Sequence, residues 1–152
     1  MATQANIINT NRKAHFSYTL SSFFICGIQL KGGEIKSIRS GEVNINEAYC
    51  ILTKNELWVK NMDINQYKFD HDEEYNSKRL RKLLLNKKEI GKIKKNLEEK
   101  GMTVVPTKLI ISEKGFAKLE IGLGKGKKNY DKRETLKKRD AELEMHRKKR
   151  EK

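Results

Sequence analysis

The chain predicts a mainly β fold: a small, partly open antiparallel barrel with added α-helices and a basic C-terminal tail. Three observations carry this reading. Short runs with period-2 apolar patterning recur between Phe16 and Leu123. No strand–helix–strand repeat is present, which disfavours a parallel sheet. The last 28 residues, from Lys125, hold only Leu136, Leu143 and Met145 as sizeable aliphatic side chains and cannot join a core. The remainder suits one compact domain, so the expected division is residues 1–124 as the barrel and residues 125–152 as a tail that is disordered when free.

The elements follow in order. From Phe16 the even positions Phe16, Tyr18, Leu20, Ser22, Phe24, Cys26, Ile28 and Leu30 read as strands with one buried face, bent at Ser21-Ser22. Lys31-Gly32-Gly33 is turn chemistry. Ile35 and Ile38 before Gly41 predict a short helix with a glycine stop, pointing Lys36 and Arg39 outward. Tyr49–Thr53 and Glu56–Lys60 form a hairpin about Lys54-Asn55, since Asn tolerates positive φ, and Ile64 to Phe69 extend the sheet. Asp70-His71-Asp72-Glu73-Glu74 is a solvated acidic connection whose spacing fits no calcium loop.

A helical region from Ser77 to Lys100 then places Leu80, Leu83, Leu84, Ile90, Ile93 and Leu97 on one face. Asn86 and Glu89 have capping-box spacing, so this region reads as a short helix joined to a longer one. Val104–Ile111 and Phe116–Leu123 close the barrel as a hairpin, with Ala117, Leu119, Ile121 and Leu123 inward and Pro106 at an edge or bulge. Short strands with one main helical insertion, residues 77–100, resemble an OB-like barrel.

Charge narrows the function class. The net charge is +14, and residues 125–152 hold thirteen bases against six acids, a balance of +7. Residues 78–100 hold ten bases against three acids, again +7, and the rest of the chain is neutral. Two concentrated blocks indicate two polyanion contacts, with nucleic acid the leading partner, against the plainer reading of lysine-rich solvated helices. Tyr130 inside the basic run offers a ring to an unpaired base. The three histidines stand far apart, and Lys128 occupies the place where a phosphate-binding loop after Gly126-Lys127 needs Ser or Thr, so no enzyme, metal site or cofactor is expected. Cys26 and Cys50 lie in strand-like runs and are expected as buried thiols in a reducing compartment. No segment approaches a membrane span or a signal sequence, so a cytosolic protein is expected.

Five collinear motifs add a resemblance. Asn11-Arg12-Lys13-Ala14, Gly33-Glu34-Ile35-Lys36-Ser37-Ile38-Arg39-Ser40-Gly41, Arg79-Leu80-Arg81-Lys82-Leu83-Leu84-Leu85-Asn86-Lys87-Lys88-Glu89-Ile90, Gly101-Met102-Thr103-Val104-Val105-Pro106 and Gly124-Lys125-Gly126-Lys127-Lys128-Asn129-Tyr130-Asp131-Lys132-Arg133 together resemble the small protein B family. That resemblance implies a non-catalytic protein of bacterial trans-translation that binds the tRNA-like domain of tmRNA. It also implies partners: elongation factor Tu on aminoacylated tmRNA, and the ribosome, at small-subunit rRNA near the decoding centre. The tail would enter the vacant mRNA channel and become helical there. A monomer is expected.

By position, the resemblance assigns RNA binding to Leu84 and Asn86, and decoding-centre contacts to Gly126, Lys127, Lys128, Asp131, Lys132 and Arg133. Side-chain chemistry adds Lys36, Arg39, Arg79, Arg81 and Lys82 as RNA contacts and Tyr130 as a stacking ring on the ribosome. Leu84 is equally readable as core, and Asn86 as a helix cap. The chain departs from the family pattern at Ile25, where an acidic residue is common, at Tyr130, where histidine is frequent, and at Ile110, where tyrosine is common. A different class, a structural ribosomal protein held by its tail in rRNA, stays open on composition. A nuclease lacks the clustered acids or histidines it needs.

Overall fold

A computed structural model describes residues 6–127, 133 and 136–143. A seven-stranded antiparallel sheet organises them, in the order β1 (Asn6–Thr10), β8 (Thr103–Ile111), β9 (Ala117–Gly126), β2 (Tyr18–Ile28), β7 (Arg81–Leu84), β5 (Glu56–Lys60) and β4 (Tyr49–Thr53). The sheet curls until β4 lies against β8, yet the two are not hydrogen-bonded, so the barrel stays open there.

The first strand, β1 (Asn6–Thr10), has no counterpart in the sequence reading and pairs with β8. Asn11 then starts a six-residue helix, α1 (Arg12–Ser17), where a strand was expected from Phe16. The reason is local. Asn11 is buried, its Oδ1 accepts from the Ala14 N–H at 3.1 Å and its Nδ2 donates to the Pro106 carbonyl at 2.8 Å, so one side chain both caps the helix and ties it to the sheet. β2 (Tyr18–Ile28) follows as a single strand, and the expected bend at Ser21-Ser22 is a register shift against β9 between Leu20 and Ser22.

The predicted short helix is α2 (Gly32–Arg39), ended by Gly41 at φ 77° with Lys36 and Arg39 exposed. β3 (Val43–Asn44) pairs with β6 (Asp63–Ile64) in a separate two-stranded sheet. Ile64 therefore does not extend the main sheet, and residues 65–69 form a loop containing a turn. β4 (Tyr49–Thr53) and β5 (Glu56–Lys60) are the expected hairpin, with Lys54 and Asn55 at φ 49° and 61° as a twist-matched two-residue turn demands.

The largest correction lies between Ser77 and Asn86. Arg81–Leu84 is a strand, β7, inserted between β2 and β5, and the helix, α3 (Lys87–Lys100), begins only after Asn86. The capping box is the part of the reading that holds: Asn86 Oδ1 accepts from the Glu89 N–H at 2.9 Å and Glu89 returns the bond, while Gly101 closes the helix at φ 61°. Leu80, Leu83 and Leu84 therefore share no helix face, and only Leu83 is core.

β8 (Thr103–Ile111) and β9 (Ala117–Gly126) complete the sheet with Ala117, Leu119, Ile121 and Leu123 all buried. Pro106 sits in the interior strand β8 beside a register shift that leaves Thr107 unmatched, which is how the sheet accommodates a residue without an N–H. Cys26 and Cys50 are buried free thiols, and burial pushes Cys26 up to about 12 and Cys50 well above its ordinary range. Neither is a nucleophile at neutral pH. No helix among the described residues is long and apolar enough to cross a membrane.

Close packing of β9 on β2 yields a first testable consequence. A Cβ on Gly124 would lie 2.7 Å from the Thr19 carbonyl oxygen, a backbone atom that cannot swing away. Gly124→Ala is expected to cost about 1–3 kcal/mol, the scale of an overpacked site, read as a lower urea midpoint with unchanged m-value.

Candidate nucleic-acid interface

The end of β7 builds the most distinctive surface feature. Period-2 alternation turns Arg81 and Leu83 inward and Lys82 and Leu84 outward. Leu84 pairs with Gly27 of β2, and a Cβ there would sit 3.3 Å from the Leu84 Cβ, so the glycine lets the leucine lie close on the sheet. Although apolar, Leu84 is 49% exposed.

Leu84 separates two grooves. One, about 500 Å³, is lined by Lys82, Lys87 and Lys94 together with Asn55 and the single acid Glu56. The other, about 380 Å³, is lined by Lys31, Arg39, Lys114, Lys118 and the exposed Phe116. Arg39 donates to the Gly115 carbonyl at 3.0 Å, which fixes its guanidinium at the β8–β9 turn. An exposed apolar ridge between two cationic grooves fits a base or sugar edge flanked by phosphates.

Asn86 stands two residues beyond the ridge and is exposed. Its Oδ1 is committed to the α3 cap, but its Nδ2 has no partner among the described residues. Capping and hydrogen-bond donation to a ligand are therefore compatible.

The arginines divide differently from the sequence reading. Arg81 is fully buried: it donates to Glu34 Oε2 at 2.7 Å, to the Met62 carbonyl at 2.6 Å and to the Ser77 carbonyl at 3.0 Å. An arginine so enclosed holds the fold and presents no surface to an RNA. Arg79 forks onto the same carboxylate, Nη2 at 2.5 Å from Oε1 and Nε at 3.0 Å from Oε2, with a quarter of its side chain exposed. It remains a candidate contact, held in place by Glu34. Lys82 is half-buried and pairs with Glu56 at 3.5 Å. Lys36 is exposed on α2 but lies over the Tyr67 ring, 5.2 Å from its centroid, away from the Leu84 ridge.

Of the tail residues, Gly126 ends β9 opposite Tyr18, and Lys127 is anchored through its N–H to the Ser17 carbonyl and its Nζ to the His15 carbonyl, at 2.8 and 3.0 Å. Arg133 is helical and exposed, as are residues 136–143. Lys128, Tyr130, Asp131 and Lys132 lie outside the described residues. Lys31, Lys94, Lys114, Lys118 and Phe116 were not singled out from the sequence. They are far apart along the chain, and only the sheet topology brings them to one surface.

The fold and this surface define a small open-barrel protein built to hold a polyanion. A family model described as SmpB protein matches residues 8–151, and the chain belongs to that family. It is similar to the "SsrA-binding protein" of Flavobacterium johnsoniae, 47% identical over 147 residues covering 97% of this chain and 96% of that one. The "SsrA-binding protein" of Bacteroides thetaiotaomicron is 46% identical over 144 residues, 95% and 96% of the two chains. A chain in a solved structure described as "tmRNA-SmpB: a journey to the center of the bacterial ribosome" superposes with a TM-score of 0.65 at 33% identity, covering 90% of this chain and 95% of that one.

Proposed function

We propose that this chain is a non-catalytic, cytoplasmic RNA-binding protein of ribosome rescue that binds tmRNA, the SsrA RNA, as its relatives' names indicate. In this reading the Leu84 ridge, its flanking grooves and the Asn86 amide take the tRNA-like domain. The tail from Lys128 enters the vacant mRNA channel of a stalled ribosome and becomes helical there. The protein acts as a monomer alongside elongation factor Tu carrying aminoacylated tmRNA. The observation that carries RNA binding at this place is the half-exposed leucine between lysine-lined grooves, on a strand whose neighbours are fixed by the Arg81 cluster.

A competition gel shift between the tRNA-like domain of tmRNA and ordinary tRNA tests it. Wild type is expected to prefer the former, and equal, weak binding to both refutes the reading. Leu84→Asp sets a carboxylate against the RNA and is expected to weaken binding at least about thirtyfold, the scale of an interface hot spot. Asn86→Ala is expected to lower stability by about 1 kcal/mol through the lost cap. A further fall in RNA affinity in that folded variant is the mark of the free Nδ2.

A further inference from the structure

Against the first turn of α2, the loop after β6 carries two aromatic rings. Tyr67 and Phe69 meet edge to face with centroids 5.5 Å apart. Phe69 is 66% exposed, more than any other large apolar side chain among the described residues. Lys36 lies 5.2 Å from the Tyr67 centroid and Lys68 lies 4.9 Å from that of Phe69.

The loop is built to hold these rings in place. Its Asp70 N–H donates to the Tyr67 carbonyl at 2.9 Å, its Asp72 N–H to Asp70 Oδ1 at 3.1 Å and the Gln66 amide to the Asp72 carbonyl at 2.7 Å. It packs onto α2 at Gly33, where a Cβ would lie 3.1 Å from Asp70 Oδ2. Beyond the edge contact with Tyr67, a loop so ordered that still leaves a phenylalanine two-thirds exposed gains little for its own fold from that ring.

We infer that Tyr67 and Phe69 form a stacking platform for one unpaired nucleobase, with Lys31, Lys36 and Lys68 on the flanking phosphates. The platform edges a hollow of about 420 Å³ that shares Lys31 and Gly32 with the Arg39 groove, so a single strand leaving that groove passes the start of α2 directly onto the rings. Two carboxylates, Asp70 and Asp72, line the same hollow. They repel phosphate and accept from base N–H groups, which orients the backbone to the lysines and the base edge to Asp70. Stacking on an exposed ring is tolerant of sequence, while a carboxylate at the base edge favours cytosine, with its amino group, over uracil, whose N3–H lies between two carbonyl oxygens that the carboxylate repels. The platform rests on the RNA-binding reading in general but lies apart from the Leu84 ridge, so the two are testable separately.

The test uses the full chain and 5′-labelled hexacytidylate and hexauridylate, followed by anisotropy across a salt series. Phe69→Ala and Phe69→Leu are expected to weaken hexacytidylate binding about tenfold, the scale of one lost base stack, with the salt slope unchanged. Phe69→Trp is expected to retain binding and to show indole quenching. Lys36→Gln is expected to reduce the slope by about 0.7, the value for one single-strand phosphate. Hexacytidylate should bind more tightly than hexauridylate. The platform is overturned if Phe69→Ala binds hexacytidylate as wild type does, or if the Phe69→Trp emission ignores the oligonucleotide. It is equally overturned if Phe69 proves necessary for a protein contact on the ribosome and not for RNA. Wild type that binds hexacytidylate through Phe69 but shows no preference for the tRNA-like domain keeps the platform and removes the ribosome-rescue reading.

Discussion

Glu34→Gln is expected to cost about 3–5 kcal/mol of folding free energy, the scale for breaking a buried ion pair by removing one partner. That is a fifth or more of the roughly 5–15 kcal/mol by which a typical domain is stable. Glu34 is 1% exposed and Arg81 0% exposed, so neither has water to fall back on. Neutralising the carboxylate leaves the Arg81 guanidinium enclosed with the carbonyls of Met62 and Ser77, and weaker contacts to the Arg79 carbonyl and the Tyr75 hydroxyl, to answer its charge, and it releases Arg79. Urea denaturation at pH 7 reads the loss directly. A double replacement, Glu34→Leu with Arg81→Met, removes both charges at once and is expected to be less destabilised than Glu34→Leu alone, the coupling that marks a true pair. A drop below about 1 kcal/mol for Glu34→Gln would show that the cluster contributes little to the fold.

The same carboxylate sets a pH dependence. Burial alone would raise the Glu34 pKa, but hydrogen bonds from Arg79, the Lys31 N–H and Arg81 outweigh it and hold the group below its ordinary value. A carboxyl depressed in the folded state and ordinary in the unfolded chain contributes stability that is complete above its unfolded pKa, about 4.3, and is lost as pH falls through the lower folded value. Wild type is therefore expected to lose stability below about pH 4.5 more steeply than Glu34→Gln, which has already lost that contribution.

Local chemistry was legible wherever one residue decides a conformation. Lys54-Asn55 signals a turn with two positive φ angles, Gly41 a helix stop, and Asn86 with Glu89 a capping box, and each stands where the sequence places it. Ala117, Leu119, Ile121 and Leu123 announce their shared face by strict alternation. Arg81–Leu84 resisted because three consecutive leucines satisfy both periods, and the strand is decided by the open place between β2 and β5, a contact no local pattern encodes. That one misplacement turned Arg81 from a buried ion-pair partner into an expected RNA contact. The charge balance of residues 78–100 was correct as a sum, but it treats a guanidinium inside the barrel and lysines on α3 as equivalent. The sequence places Tyr67 and Phe69 on an extension of the sheet, whereas the exposure of Phe69 follows from a loop whose turn hydrogen bonds use Asp70 and Asp72.

Deleting residues 128–152 is expected to leave the affinity for tmRNA's tRNA-like domain within a few-fold of wild type while abolishing peptide tagging on stalled ribosomes. The place of the cut matters. Lys125 and Gly126 pair with Thr19 and Tyr18 in the β2–β9 ladder, and Lys127 is bonded to the end of α1, so removal from Lys125 would strip the last rungs of that ladder and mix a folding defect with the loss of the tail. A cut after Lys127 keeps the barrel and removes eleven bases and six acids. If that charge meets ribosomal RNA and not tmRNA, the dependence of log K on log salt for the isolated RNA keeps its slope, because each phosphate neutralised contributes about 0.7–0.9 to it. Should the slope fall by several units and the affinity by more than about tenfold, the tail is part of the tmRNA site and the two blocks of charge serve one ligand. If affinity and slope hold while tagging disappears, the division between a barrel that grips one RNA and a tail that enters another is established by a single truncation.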